Sequence, residues 1–165
     1  TYQGDGSVCS PNPCGNQAVT LYLPAQRDNV LYEDAAGAMS NGAGRYLYAG
    51  NQSSGLRRRG VIRFDTSALP SGALVQGVSV RLYCNQSQGA AFNLSLHRLA
   101  ADWGEGTSDA KGDEGSGTAA TANDATWLHR FYNTALWITP GGDFIASSSA
   151  TAAVSTGASS STARM

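Results

Sequence analysis

The chain has 165 residues, of which 41% are hydrophobic and only 14% are charged, and its formal net charge is -1. A chain of this length can bury one sizeable core. A charge so close to zero provides no field that would hold nucleic acid or an anionic membrane, so no nucleic-acid partner is expected. No apolar stretch is long enough to cross a bilayer, so no membrane insertion is expected. Twenty glycines and many small polar residues favour short strands joined by turns.

Residues 1–17 are a polar leader, rich in Gly, Asn and Pro and without periodicity. Within it, Cys9 and Cys14 bracket Ser-Pro-Asn-Pro, a turn-forming spacer that predicts a small disulfide loop between them. The alternative is that one of the two pairs with Cys84 and leaves the other without a partner. A zinc site would need more Cys or His near this spacing than the sequence offers. The polar start and the low charge are typical of a mature protein that is secreted or displayed at the cell surface.

Four short segments in the first half of the chain predict strands. Residues 19–23 alternate Val and Leu with Thr and Tyr before Pro24 ends the run. Residues 30–32 and 46–48 are short apolar runs that contain tyrosine, and residues 60–64 alternate large apolar side chains with an arginine. Such runs, bounded by Gly, Pro and Asn, are the usual sequence signal for strands.

The clearest two-residue periodicity lies in residues 78–84 and 92–97. Each segment alternates an apolar face with a polar face, as a strand does when one side meets a core. Residues 86–89, Gln-Ser-Gln-Gly, predict a hairpin that pairs the two strands with each other. This pairing places Cys84 in the core, where a thiol behaves as a small hydrophobic side chain.

No window has convincing helical periodicity, so we expect an all-β protein, an antiparallel jelly-roll-like β-sandwich over residues 18–148. Residues 104–124 contain almost no large apolar side chain, and loops of that length are usually functional or mobile. Residues 149–165 are a low-complexity tail of mainly Ala, Ser and Thr.

Seven short motifs follow one another in order across roughly residues 28–145. They are Asp28-Asn29-Val30-Leu31-Tyr32-Glu33-Asp34, Arg57-Arg58-Arg59-Gly60-Val61-Ile62-Arg63-Phe64-Asp65, Ala68-Leu69-Pro70-Ser71-Gly72-Ala73, Val80-Arg81-Leu82-Tyr83, Leu96-His97-Arg98-Leu99, Asp102-Trp103-Gly104-Glu105-Gly106 and Thr126-Trp127. Their order and spacing resemble the DNRLRE-type extracellular modules of bacteria, which are grouped with carbohydrate-binding module family ninety-six. The resemblance implies a jelly-roll sandwich on a secreted or surface protein, and for some members a polysaccharide ligand.

Modules of this kind normally continue with further strands beyond the region of Trp127, whereas here the chain ends in the tail of residues 149–165. We therefore expect the C-terminal strands to be missing and the sandwich to be incomplete without a partner strand. Either the chain is a fragment, or another chain fills the gap by strand addition and creates a polymer. Residues 19–23 are the candidate donor strand.

The densest group of acidic side chains lies in and beside residues 104–124. Its members are Asp102, Glu105, Asp109, Asp113, Glu114 and Asp124. Calcium takes six to eight oxygen ligands, and a Gly-rich backbone can wrap around it, so calcium is the one cofactor this pattern suggests, with Asp102, Glu105, Asp109, Asp113 and Asp124 as ligands. The alternative is a solvated loop whose acids are balanced by Lys111, Arg98 and Arg130. The family resemblance implies that Trp103 packs under this loop and that the Glu105 carboxylate accepts backbone hydrogen bonds.

Aromatic side chains are the other candidates for ligand binding, because the C–H faces of sugars stack on flat rings. We select Tyr46, Tyr48, Tyr83 and Trp137 as the candidate platform. The alternative is that such rings form ordinary cross-strand pairs within a sheet. Trp103 and Trp127 are expected to anchor the core or a loop instead.

Nothing in the sequence supports catalysis. The catalytic pair of a glycosidase would require acids on facing strands, whereas these acids lie in one loop. For His97, the sequence indicates no Ser or Cys nucleophile close to it. The run Arg57-Arg58-Arg59 alternates faces on a strand, so it forms no single basic patch, and Arg57 and Arg59 are expected to pair with acids.

The sequence therefore favours a non-catalytic extracellular binding or adhesion module for polysaccharide or extracellular matrix. The alternative is a structural subunit of a surface fibre or sheath that assembles into a homopolymer by strand exchange.

Overall fold

The fold is that of a computed structural model, which describes residues 18–87, 91–112 and 114–154 together with the backbone of residues 159–164. Within these ranges the regular structure is β-strand apart from one short 3-10 turn, Glu114–Ser116. The all-β class expected from the sequence is confirmed. The predicted Cys9–Cys14 loop and the predicted calcium ligand Asp113 lie outside the described residues.

The described strands are labelled β1 to β11 in chain order. They are Ala25–Tyr32, Met39–Ser40, Gly50–Asn51, Arg57–Phe64, Ser79–Cys84, Phe92–Leu96, Thr118–Ala119, His129–Phe131, Ala135–Leu136, Ala150–Val154 and Ser159–Arg164. β1, β4 and β3 form one sheet in that order, and the other strands pair as β10 with β6, β11 with β5, β2 with β7 and β8 with β9. Every pairing is antiparallel. No helix in the described ranges has the length and apolar character to cross a bilayer.

β1 and β4 form the centre of the protein. Val30, Leu31 and Tyr32 of β1 are each only 1% exposed. Neighbouring residues of a strand point to opposite faces, so burial of all three means that the sheet is covered on both sides. This double burial explains why residues 30–32 are a continuous apolar run instead of an alternating one.

The core lies on the β1 face that carries Leu31 and contains all three tryptophans. Its buried members are Leu31, Val61, Trp103, Ala125, Trp127 and Trp137. The indole N–H of Trp137 donates to the carbonyl of Thr126 at 2.9 Å, so the buried polar end of this ring has a partner. Trp103 and Trp127 are core residues, as expected.

The segments with clear two-residue periodicity were predicted correctly as strands. β5 lies within residues 78–84, β6 lies within residues 92–97, and β4 contains residues 60–64 and begins three residues earlier, at Arg57. β5 and β6 nevertheless remain half exposed. Their inward side chains are only partly buried, whereas Tyr83 is 71% exposed.

Two predicted strands do not form. Residues 18–24 are irregular, and Val19 and Tyr22 are 77% and 91% exposed, because the alternating pattern meets no apolar surface. Residues 46–49 are irregular as well. Here the N–H of Tyr46 donates to the Glu114 carboxylate at 2.9 Å, so a side chain takes the place of a neighbouring strand as hydrogen-bond partner.

The expectation that the C-terminal strands are missing is wrong, because residues 150–164 contain β10 and β11. β10 pairs with β6 from Ala150 opposite Leu96 to Val154 opposite Phe92. β11 pairs in the same way with the whole of β5. Within the described residues β5 and β6 do not pair with each other, so the predicted hairpin between them is also wrong. A run of Ala, Ser and Thr has no apolar periodicity, but backbone hydrogen bonding in a sheet does not require it.

Candidate functional site

An open groove of about 670 Å³ lies where β1 ends and β4 begins. One wall comes from the paired ends of these strands, and the other comes from the turn after β1 and from the segments near residues 116 and 127. The lining residues are Tyr32, Glu33, Asp34, Ala35, Met39, Gln52, Leu56, Arg58, Ser116, Trp127 and Leu128. Charged, amide and hydroxyl groups therefore stand beside aliphatic and aromatic side chains in one concave surface.

Glu33 is held at the groove by Arg57, which stands beside it in the sheet. One carboxylate oxygen accepts from the backbone N–H of Arg57 at 2.8 Å and from its Nε at 2.9 Å, and the other accepts from Nη2 at 2.7 Å. The side-chain hydrogen bonds from Arg57 and then its backbone N–H lower the pKa of Glu33 to about 2. Glu33 is therefore an oriented anion at neutral pH.

Asp34 fixes the turn that forms the next part of the wall. Its carboxylate oxygens accept from the N–H groups of Ala36 at 3.2 Å and Ala38 at 2.9 Å. Gly37 completes the turn with a φ of 58°, which favours glycine. A Cβ at Gly37 would also meet the Leu128 side chain at 2.5 Å. The turn is thus fixed by both hydrogen bonding and packing.

Arg58 and Tyr32 lie side by side on the opposite face of the sheet from Arg57. The Arg58 guanidinium is 4.7 Å from the centre of the Tyr32 ring and donates through Nε to the carbonyl of Gly115 at 2.9 Å. The hydroxyl of Tyr32 donates to the carbonyl of Glu114 at 2.7 Å. Burial raises the pKa of Tyr32, so its phenol stays neutral, and burial lowers the pKa of Arg58.

The Trp127 ring lies next to two arginines of β4. The guanidinium groups of Arg57 and Arg59 are each 5.0 Å from the ring centre. Arg57 pairs with Glu33, as expected, but the prediction that Arg59 pairs with an acid is wrong, because Arg59 donates to the carbonyl of Gly141 at 2.7 Å. Cation–π contacts of this kind hold both arginines against the core.

The predicted aromatic platform is not a single surface. Tyr83 is exposed on β5, whereas Tyr46 is 42% exposed and Tyr48 half-buried in the irregular segment before β3. Trp137 is 5% exposed and lies in the core, so its selection as a ligand platform was wrong. The apolar surroundings that hide this ring come from distant segments, which its local sequence does not reveal.

Two of the predicted calcium ligands have other partners. Asp102 pairs with Arg27 and, at 3.0 Å, with Arg63. The carboxylate of Glu105 accepts from the backbone N–H of Asp28 at 2.9 Å, as the resemblance implies for this position. Both acids therefore fasten the loop to the edge of β1 and β4.

The remaining acids are also apart from one another. Asp109 is exposed, and its carboxylate accepts from the N–H of Lys111 at 3.1 Å. Asp124 is fully buried and accepts from the N–H of Thr121 at 2.6 Å. Its other oxygen has no partner among the described residues, but the backbones of Gly42 and Gly106 pack directly against it. In the described part of the chain, no three His, Cys, Asp or Glu side chains are grouped to hold a metal ion.

Sequence reasoning missed the groove as a site. Four of its lining residues, Tyr32, Glu33, Asp34 and Arg58, belong to the motifs at residues 28–34 and 57–65. The signal was therefore present in two motifs, but only the antiparallel pairing of β1 with β4 brings them together.

Comparisons of the chain with protein-family models, with curated proteins and with solved structures return no match.

Proposed function

We propose that this protein is a non-catalytic extracellular binding module with a jelly-roll sandwich, that its ligand is a polysaccharide, and that the groove at the end of β1 and the start of β4 is the binding site. The observation that carries the proposal is the groove itself, which brings ordered polar groups and apolar surface together in one concave wall. The resemblance of the sequence motifs to DNRLRE-type modules supports the same function and an extracellular location.

A sugar chain needs acceptors and donors for its hydroxyls and apolar surface for its C–H groups. Glu33 and Asp34 supply acceptors, Gln52 and Arg58 supply donors, and Leu56 supplies apolar surface at 43% exposure. Each carboxylate oxygen can accept two hydrogen bonds. The groove acids therefore keep acceptor positions for a ligand after they have bonded to the protein.

The polar groups of the groove are already ordered without a ligand. Glu33 is fixed by three hydrogen bonds from Arg57, and Asp34 by two from its own turn. Binding then costs little side-chain ordering, because the rotamers are set before the ligand arrives. An ordered polar wall favours specific recognition of hydroxyl positions.

Glu33 is suited to binding rather than to the general-acid step of hydrolysis. A glycosidase requires one carboxyl group that is protonated near neutral pH and donates to the leaving oxygen. Glu33 has a pKa lowered to about 2, and both carboxylate oxygens are bonded to Arg57. Glu33 therefore has no proton to donate at neutral pH.

The test is binding of the purified chain to a broad panel of soluble and insoluble polysaccharides, followed by titration of any ligand found. We expect Gln52→Ala and Leu56→Ala to weaken binding by about five- to fiftyfold, which corresponds to the loss of one hydrogen bond or a small apolar contact. Gln86→Ala is the matched control, because Gln86 is exposed and lies outside the groove.

Absence of binding across the panel would overturn the proposed function. If a polysaccharide binds and both groove variants bind it as well as the unchanged chain, the groove is not the site. A loss of binding in Tyr83→Ala alone would then move the site to the exposed face of β5.

A further inference from the structure

The C-terminal strands separate β5 from β6. β10 pairs with β6 over its whole length, β11 pairs with β5 over its whole length, and β10 also lies beside β11. If β10 and β11 were withdrawn, β5 and β6 would each present an edge of unpaired N–H and C=O groups. Such edges readily take up a strand from another chain.

β10 is held mainly through its backbone. Ala150 and Val154 are its two buried side chains, at 8% and 5% exposure, and the three residues between them are small. Thr151 is exposed and meets Ser95 of β6 across the sheet, with 3.2 Å between their hydroxyl oxygens. An identical strand from a second copy satisfies the same register and the same hydrogen bonds.

The segment that leads into β10 is anchored only at its ends: at its start Phe144 bridges Leu99 and contacts the His97 ring. Residues 144–149 are exposed throughout and end in three consecutive serines. Backbone hydrogen bonds fasten this segment at Ile145, which donates to Arg98 at 2.9 Å, and at Ser149, which donates to Leu96 at 2.8 Å. The four residues after Ile145 span about 13 Å when extended, which is enough to lift β10 off its own sheet.

We propose that β10 and β11 exchange between copies of this chain, so that β10 of one copy pairs with β6 of another. Reciprocal exchange closes a dimer, whereas exchange in one direction builds an open chain. The proposal goes beyond the binding function, and none of the lining residues of the groove lies on these four strands. Its failure and the failure of polysaccharide binding are therefore separate results.

The experiment uses two single-cysteine variants of the full chain, Ser95→Cys and Thr151→Cys, in a background in which the three native cysteines are replaced. The two positions are directly paired, within the reach of a disulfide. The variants are mixed at high concentration, incubated and oxidised. We expect a covalent species that contains one chain of each variant, as measured by mass spectrometry.

Two controls define the result. The double variant Ser95→Cys/Thr151→Cys must close a disulfide, which shows that the register survives in this background. A mixture of Ser95→Cys with Ser71→Cys reports random collisions, because Ser71 is exposed and lies in a turn away from β6 and β10. We expect cross-linking between the Ser95 and Thr151 variants to exceed this control at least tenfold.

Cross-linking no greater than the control overturns the proposal whenever the double variant closes. If the double variant does not close, light scattering of the unsubstituted chain decides. Exchange predicts a species of two or more copies whose fraction rises with concentration, and a monomer at every concentration overturns the proposal.

Discussion

Asp28, within β1, and Glu33, just after its end, have pKa values that are shifted in opposite directions. Burial, and then the negative charge of Glu105, raise the pKa of Asp28. Hydrogen bonds from Arg57 lower the pKa of Glu33. At these two positions the presence or absence of hydrogen-bond donors that face the carboxylate sets the direction of the shift.

Glu33→Gln is expected to destabilise the protein at neutral pH. Because the folded-state pKa of Glu33 is lowered to about 2 from 4.5, its contribution to stability is present above its unfolded-state pKa and is lost as the pH falls towards 2. The difference in Tm between the variant and the unchanged chain should shrink as the pH falls from 7 towards 2. Arg57→Gln should lower Tm at neutral pH as well, and the double variant should lose less than the sum of the two. A full sum of losses would show that the two side chains are not coupled.

Asp28→Asn is expected to stabilise the protein at neutral pH. Because the folded-state pKa of Asp28 is raised above 3.8, the ionised form is penalised in the folded state. The penalty is absent below the unfolded-state pKa and grows as the pH rises through the folded-state value. Thermal melts should show a higher Tm for the variant at pH 7 and almost no difference near pH 3. A lower Tm at pH 7 would contradict the prediction.

At the scale of elements, the segment after β2 is attached to the acidic loop through a close backbone approach at Gly42. Its N–H donates to the Ser108 hydroxyl at 3.1 Å, and the next N–H donates to the Ser108 carbonyl at 2.8 Å. A Cβ at Gly42 would overlap the carbonyl oxygen of Glu105. Gly42 therefore allows the loop to approach β2 and its neighbour β1.

Gly42→Ala is expected to lower the free energy of unfolding by about 3 kcal/mol or more, because rigid backbone has to separate from rigid backbone. The matched control is Gly77→Ala, where a Cβ meets nothing within 4 Å and φ is not in the left-handed region. This control should be neutral or slightly stabilising. Urea denaturation measures both changes, and equal effects would contradict the close approach.

The strands that the sequence predicted correctly are those whose side chains carry the burial pattern. β4, β5 and β6 alternate, so their period identified them. Residues 19–23 alternate as well, but they remain irregular. The apolar surface that would bury their apolar face has to come from distant segments, which the local pattern does not reveal. β10 and β11 could not be recognised from apolar periodicity, because Ala, Ser and Thr side chains carry almost none and their pairing is a property of the backbone.

The candidate site was less predictable than the fold. Glu33 and Arg58 lie in two of the motifs that resemble DNRLRE-type modules. The local sequence of these motifs does not show that β1 and β4 pair and place the two side chains on one wall of the groove. Tyr83 was correctly placed on an outward face by its strand period. The acids of residues 102–124 looked like a cation site because sequence proximity does not reveal that arginines and backbone N–H groups occupy them.

At the scale of the whole molecule, burial is uneven. The β1 and β4 half contains the core cluster and is covered on both faces, whereas the side chains of β5 and β6 are half-buried at best. Large apolar side chains are also exposed near the start of β5, where Leu74 is 86% exposed and Val75 is 56% exposed. The two halves therefore have different resistance to local opening.

Hydrogen exchange should resolve this difference. We expect the amide of Leu31 in β1 to exchange at least about tenfold more slowly than the amide of Leu94 in β6, which corresponds to about 1.4 kcal/mol in opening free energy. Both residues lie within paired strands, so the expected difference in exchange rate does not come from one strand being unpaired. Equal protection would show that the protein opens as one cooperative unit.

The position of the three tryptophans has a consequence for spectroscopy. Trp103, Trp127 and Trp137 are all at most 5% exposed and belong to one cluster. Their emission should be blue-shifted and should report only on the β1 and β4 half. A fluorescence melt would remain silent while β10 leaves β6, so a single sharp transition in that signal does not show that the sheet of β6 and β10 is intact.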